Sequence, residues 1–159
     1  MIDVAEIPIR VCKSDKLDNE KLIVAFKEYI VGVPSGTGVL DLPHSEIIKL
    51  NQSYYKILNS MFPKNTVDKT QSWIVTETNS ETEWHNNFQE KHESKVQVSG
   101  ICYLTETKHG IEFKNNFFKA ETIPVLDHWY IWPSQLGYRS KEIKWAEFTD
   151  IMMLAQILV

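Results

Sequence analysis

The sequence predicts an α+β protein, mainly β, in which N-terminal helices support a β-sandwich or jelly roll. Three observations predict it. Apolar residues recur at helical spacing in roughly the first 65 residues. From Thr70 onward the pattern changes to short β-type segments separated by polar turns. Several of those segments are apolar on both faces, as strands are when each side of their sheet is covered.

The elements follow in chain order. Val4, Ile7, Ile9 and Val11 form an apolar, strand-like opening, and Pro8 places it at a sheet edge because proline cannot donate to a ladder. Asp18 suits an N-cap for a first helix carrying Leu22, Ile23, Phe26, Tyr29 and Ile30, which Gly32 and Pro34 end. After a Pro-Ser-Gly-Thr-Gly loop, Ser45 suits the cap of a second helix with Ile47, Ile48, Leu50, Tyr54, Tyr55, Leu58 and Met61 on its apolar stripe. Pro63 closes that helix. Strands are predicted over 71–78, 96–104, 111–113, 122–125, 128–132 and 148–159. Within 96–104, alternation puts Val96, Val98, Gly100, Cys102 and Leu104 on one face and Gln97, Ser99, Ile101 and Tyr103 on the other. In the next long strand Trp129 and Ile131 oppose Tyr130 and Trp132, which suits a central strand buried on both sides.

The chain's 159 residues fit a single domain, 1–159, in which 1–65 (a strand and two helices) packs on a jelly-roll core at 66–159. With 43% hydrophobic and 24% charged residues, the composition is globular and excludes collagenous and disordered classes. A net charge of −4 lacks the cationic field that nucleic acid or an anionic membrane selects, so neither is expected as a partner. Cys12 and Cys102 are the only cysteines, which offers neither a disulfide framework nor a paired thiolate site and points to a reducing compartment. The acidic N-terminus predicts no export by a signal peptide. The most apolar stretch, 151–159, is far shorter than the ~20 residues that span a bilayer and reads as a terminal core strand.

Five short motifs occur in order: Trp73-Ile74-Val75, Trp84-His85-Asn86-Asn87, Ser99-Gly100-Ile101-Cys102-Tyr103-Leu104, Gly110-Ile111-Glu112-Phe113, and Trp132-Pro133-Ser134-Gln135-Leu136. Together they resemble the 2-oxoglutarate and Fe(II)-dependent oxygenase-like proteins of bacteria and of tailed phages of aquatic bacteria. The resemblance covers roughly residues 70 to 159 and implies a double-stranded β-helix. It also implies where iron would sit, on two imidazoles and a carboxylate that converge on one side of the metal. His85 stands at the first ligand position, Asn87 at the second and Tyr138 at the distal one. The arginine that would hold the 2-oxoglutarate carboxylate falls near Asp150, and no arginine follows Arg139. Arg139 and Lys144 are the cations left to replace it.

An amide and a phenol are poor substitutes in such a site. Asn87 is neutral, and ionising Tyr138 from a reference pKa of ~10 costs ~4 kcal/mol at neutral pH. A carboxylate at the arginine position would repel a dianionic cosubstrate. His85 is therefore the single metal position that matches, read more simply as a hydrogen-bonded histidine, and no cofactor is expected. The best rescue of an enzyme is Glu83-x-His85, which a strand would turn to one face. His128 stands at the wrong end of its strand to complete it. His92-Glu93 and Asp127-His128 are adjacent pairs, read as turns, and His44 reads as a loop residue. Ser134 has no triad context, and Gly36-Thr37-Gly38 lacks the lysine of a phosphate loop.

The reading is an inactive oxygenase-like jelly roll used as a structural or protein-binding module, in the resemblance's terms a phage virion or assembly component. Its expected partners are other phage structural proteins or copies of itself, in the host cytoplasm or the virion. The alternatives are an active Fe(II)/2-oxoglutarate hydroxylase with a non-standard ligand set and a carbohydrate-binding jelly roll, which requires Trp129 and Trp132 to be exposed.

Overall fold

The computed structural model describes residues 9–14, 16–30, 42–63, 66–76, 83–84, 86, 88, 90, 96–104, 110–116, 119–123, 125–140 and 149–158. The strand β1 (Arg10–Lys13) precedes two helices, α1 (Asn19–Ile30) and α2 (Ser45–Met61), and these precede β2 (Thr66–Thr76), β3 (Val96–Tyr103), β4 (Ile111–Lys114), β5 (Lys119–Glu121), β6 (His128–Pro133), β7 (Gly137–Ser140) and β8 (Thr149–Leu158). These strands form two antiparallel sheets. The larger has the order β1-β6-β3-β8-β2 and the smaller β5-β4-β7.

Local chemistry accounts for the helix boundaries. The Asp18 carboxylate accepts from the Lys21 N–H at 3.1 Å and caps α1 as predicted. For α2 the cap is displaced by one residue. His44, expected as a loop residue, is the N-cap; its Nδ1 accepts from the Glu46 N–H at 3.2 Å, and Ser45 is the first helical residue. An imidazole acceptor does the work usually given to a hydroxyl. The helix stops at Met61, just ahead of Pro63.

Each face of the larger sheet meets a different layer. Leu22, Phe26, Ile47, Leu50, Tyr54 and Leu58 of the helices pack on Val98, Cys102, Trp129 and Ile131. Ile101, Tyr103, Tyr130 and Trp132 face the smaller sheet's Ile111, Phe113 and Tyr138. Period-two alternation along β3 and β6 thus divides one core into two, as the sequence predicts. Trp129 is fully buried and Trp132 is 1% exposed, so neither belongs to an exposed aromatic row, and the carbohydrate-binding alternative fails.

Some strands depart from expectation. The first described strand is Arg10–Lys13; Val4, Ile7 and Pro8 lie outside the described residues. Of the predicted strand 122–125, the described residues Thr122, Ile123 and Val125 are not in a strand. The neighbouring Lys119–Glu121 is one, while Ile123 and Val125 are exposed. β2 begins at Thr66, earlier than its polar start suggests, because β8 pairs along its whole length from Thr66↔Leu158 to Thr76↔Thr149. No helix among the described residues is long and apolar enough to cross a membrane.

Candidate functional site

The space between the sheets is lined by aromatic side chains because β3, β4, β6 and β7 each turn alternate residues inward. Trp132 lies 5.0 Å from Phe113 and 5.3 Å from Tyr138, both edge-on. Tyr103 and Tyr130 meet edge to face at 5.4 Å. Such offset and T-shaped pairs suit the ring quadrupoles and each contribute about 0.5–1.5 kcal/mol beyond area burial. The Tyr130 hydroxyl donates to the Ile123 carbonyl and accepts from the Val125 N–H at 3.1 Å, tying the inner layer to the loop after β5. Burial pushes the Tyr130 phenol up from its ordinary value, outweighing that N–H, and Tyr54 on the helical side is pushed up further for the same reason. Both remain neutral at physiological pH.

Four of the motif residues are explained by packing. Ser99 and Ser134, from the third and fifth motifs, share a buried hydrogen bond at 2.8 Å across the β3–β6 pair, and the Ser134 N–H donates to the Gln97 carbonyl at 2.9 Å. Gly100 admits the helix α2: a Cβ there would stand 3.2 Å from Tyr54 Cε2 and 3.4 Å from the Tyr130 carbonyl oxygen. Gly110 is more constrained. A Cβ would fall 2.1 Å from the Thr122 carbonyl oxygen, where Thr122 clips β4 by donating its N–H to the Ile111 carbonyl at 3.0 Å and accepting the Ile111 N–H at Oγ1.

The predicted site residues fall in different places. Tyr138 is 2% exposed, inside, against Trp132 and Phe113. Arg139, one residue on, takes the opposite face of β7: its Nε donates to Glu112 Oε2 at 2.7 Å, from the register partner Glu112↔Arg139. It is therefore not a cation available to the interior, which corrects its candidacy as a 2-oxoglutarate anchor. Asp150 is the register partner of Tyr103 and of Val75, on β8. Glu83 is exposed. His128 opens β6, its Nδ1 2.8 Å from the Leu126 carbonyl oxygen, and Asp127 is a turn residue with φ 62° that accepts from Asn19 Nδ2 at 3.0 Å. His85, Asn87, His92, Glu93 and Lys144 lie outside the described residues. No group of three or more His, Cys, Asp or Glu side chains suited to a metal occurs among the described residues.

Sequence reasoning missed one cluster. The Trp84 indole carries the Lys114 ammonium at 4.3 Å, the Arg139 guanidinium at 4.6 Å and the Lys119 ammonium at 5.6 Å from its centre. Cation–π attraction thus fixes the residue before His85 to the outer face of the smaller sheet. The only available signal was that Lys114 and Arg139 directly follow Phe113 and Tyr138, the aromatics that turn inward.

No protein-family model matches the chain, and no curated protein matches it. Solved structures do. A prolyl-4-hydroxylase from Pseudomonas putida aligns at TM-score 0.58 and 10% identity, covering 97% of this chain and 86% of that one. A viral collagen prolyl hydroxylase of Paramecium bursaria Chlorella virus 1, solved with 2-oxoglutarate, aligns at TM-score 0.60 and 13% identity over 94% of each chain. The chain has the oxygenase-like double-stranded β-helix. A Trichoplax adhaerens prolyl hydroxylase, solved with a peptide of the hypoxia-inducible factor's oxygen degradation domain, agrees at TM-score 0.61 and 9% identity, covering 93% of this chain and 82% of that one.

Within that fold Tyr138, at the position where the resemblance expects the distal imidazole, is a phenol set among aromatic rings.

Proposed function

We propose that this chain is an oxygenase-like jelly roll without iron chemistry, used as a structural or protein-binding module. The observation that carries the reading is Tyr138: its ring is part of the aromatic layer where the resemblance asks for a metal-binding imidazole. The packing of Ser99 with Ser134 and the tight fits at Gly100 and Gly110 support it, because each gives a motif residue a scaffold role that needs no catalysis. On this reading the chain binds no cofactor, His85 holds no metal, and the whole of 1–159 acts as one domain. Its partners are proteins, in the phage version other structural proteins of the particle or copies of itself, in the host cell or the virion.

The test is decarboxylation of 2-oxoglutarate by the purified chain supplied anaerobically with Fe(II) and then exposed to oxygen. No succinate above the protein-free control is expected. Turnover would establish the hydroxylase alternative, the activity named for the prolyl hydroxylases of similar fold. Proteomics of purified particles tests the virion version, which absence from them would overturn.

A further inference from the structure

The edge of the larger sheet at β1 carries features that its packing does not use. β1 pairs only with β6 among the described strands, in the register Arg10↔Ile131 to Lys13↔His128. The Ser14 N–H donates toward β6, to the Asp127 carbonyl at 2.7 Å. Because main-chain groups alternate sides along a strand, Arg10 and Cys12 also point to β6, and the N–H and C=O of Val11 and Lys13 point away from the sheet. Those groups form a short template for another strand.

The surroundings of that template are apolar in the middle and cationic at the ends. Val11 is 55% exposed. Its register partner is Tyr130, whose hydroxyl holds the main chain of Ile123 and Val125, and these two side chains are 80% and 44% exposed. Arg10 and Lys13 flank Val11, both exposed, and no ion pair neutralises either among the described residues. This local charge stands against the chain's net −4. It favours an acidic occupant, because carboxylates set directly opposite Arg10 and Lys13 would be attracted across the ladder, whereas cations there would destabilise it.

We propose that the β1 edge binds an extended segment of a protein partner by antiparallel strand addition, and that the segment reads acidic-x-apolar-acidic. The first acid would lie opposite Lys13, the apolar residue opposite Val11 and the second acid opposite Arg10. Main-chain pairing supplies the affinity, and the two charges with the Val11 patch supply the choice of sequence. This inference rests on the reading of the chain as a binding module and names the partner's chemistry.

Selection of the full chain against a library of random eight-residue peptides tests it. Enrichment of acidic-x-apolar-acidic sequences is expected. Val11→Pro removes an outward N–H while leaving the bonds to β6, and should weaken the selected peptide at least ~10-fold with the thermal midpoint unchanged. Arg10→Glu with Lys13→Glu should weaken it comparably and shift the selection to basic peptides, a gain that misfolding cannot produce. Failure to enrich acidic sequences, binding undiminished in both variants, or a dimer joined through β1 would each overturn the proposal. None of these results depends on iron or 2-oxoglutarate, so they leave the decarboxylation test standing.

Discussion

Replacing Tyr138 by alanine separates a core residue from a ligand position. The ring is 2% exposed, 5.3 Å from Trp132 and 6.4 Å from Phe113, on a strand of only four residues. Truncating a buried aromatic to alanine costs about 3–5 kcal/mol, since the transfer term and the cavity left between two sheets add. At ~2–4 °C per kcal/mol for a chain of this size, the thermal midpoint should fall by about 6–20 °C. Urea unfolding followed by tryptophan emission is a direct assay, because Trp132 touches the ring, and the midpoint should fall with the slope unchanged. A loss below ~1 kcal/mol would refute the reasoning, since it would mean that the interior tolerates removal of the ring and that Tyr138 is not part of the packed layer.

Gly110→Ala should cost more than Gly100→Ala: the first drives a methyl into main chain at 2.1 Å, at or above the top of the ~1–3 kcal/mol range for overpacking, and the second meets a tyrosine ring at 3.2 Å, about 1 kcal/mol; thermal melts that reverse this order contradict the account. A double-mutant cycle on Ser99→Ala and Ser134→Ala should show a coupling of at least ~0.5 kcal/mol, and strict additivity would mean that their hydrogen bond contributes nothing. Glu46 is held below the usual carboxylate range mainly by its hydrogen bond to Lys49, against burial, which raises it. A depressed folded value gives stability that is present above the ordinary glutamate pKa and lost as pH falls through the folded one. The gap between wild type and Glu46→Gln should therefore be widest near about pH 7 and close toward about pH 3 in denaturant titrations; a gap independent of pH contradicts this.

Much of the fold was legible because its signals are periodic and local. The stripe of Leu22, Phe26, Ile47, Leu50 and Leu58 marks the helices, and apolar residues on both faces of β3 and β6 mark a sheet covered on both sides. Strands defined by their partners were less visible. β7 is only Gly137–Ser140, and its turn-like start gives no run of β-formers, yet β4 pairs it residue for residue. The 122–125 segment looks like a strand because Ile123 and Val125 alternate, but Thr122 folds back on Ile111 and the two apolar side chains face outward. Asp150 illustrates what register adds: its position beside Tyr103 follows from pairing over the whole of β8. At the candidate site, residue types showed that Asn87 and Tyr138 are poor ligands. Only the three-dimensional arrangement shows that Arg139 faces away from the interior, because that depends on which side of β7 Tyr138 takes.

Anaerobic loading with Fe(II), followed by desalting and metal analysis of wild type beside His85→Ala, addresses the central claim most directly. The account predicts far less than stoichiometric iron, at the same level in both proteins. Stoichiometric iron in the wild type that disappears with the imidazole would contradict it.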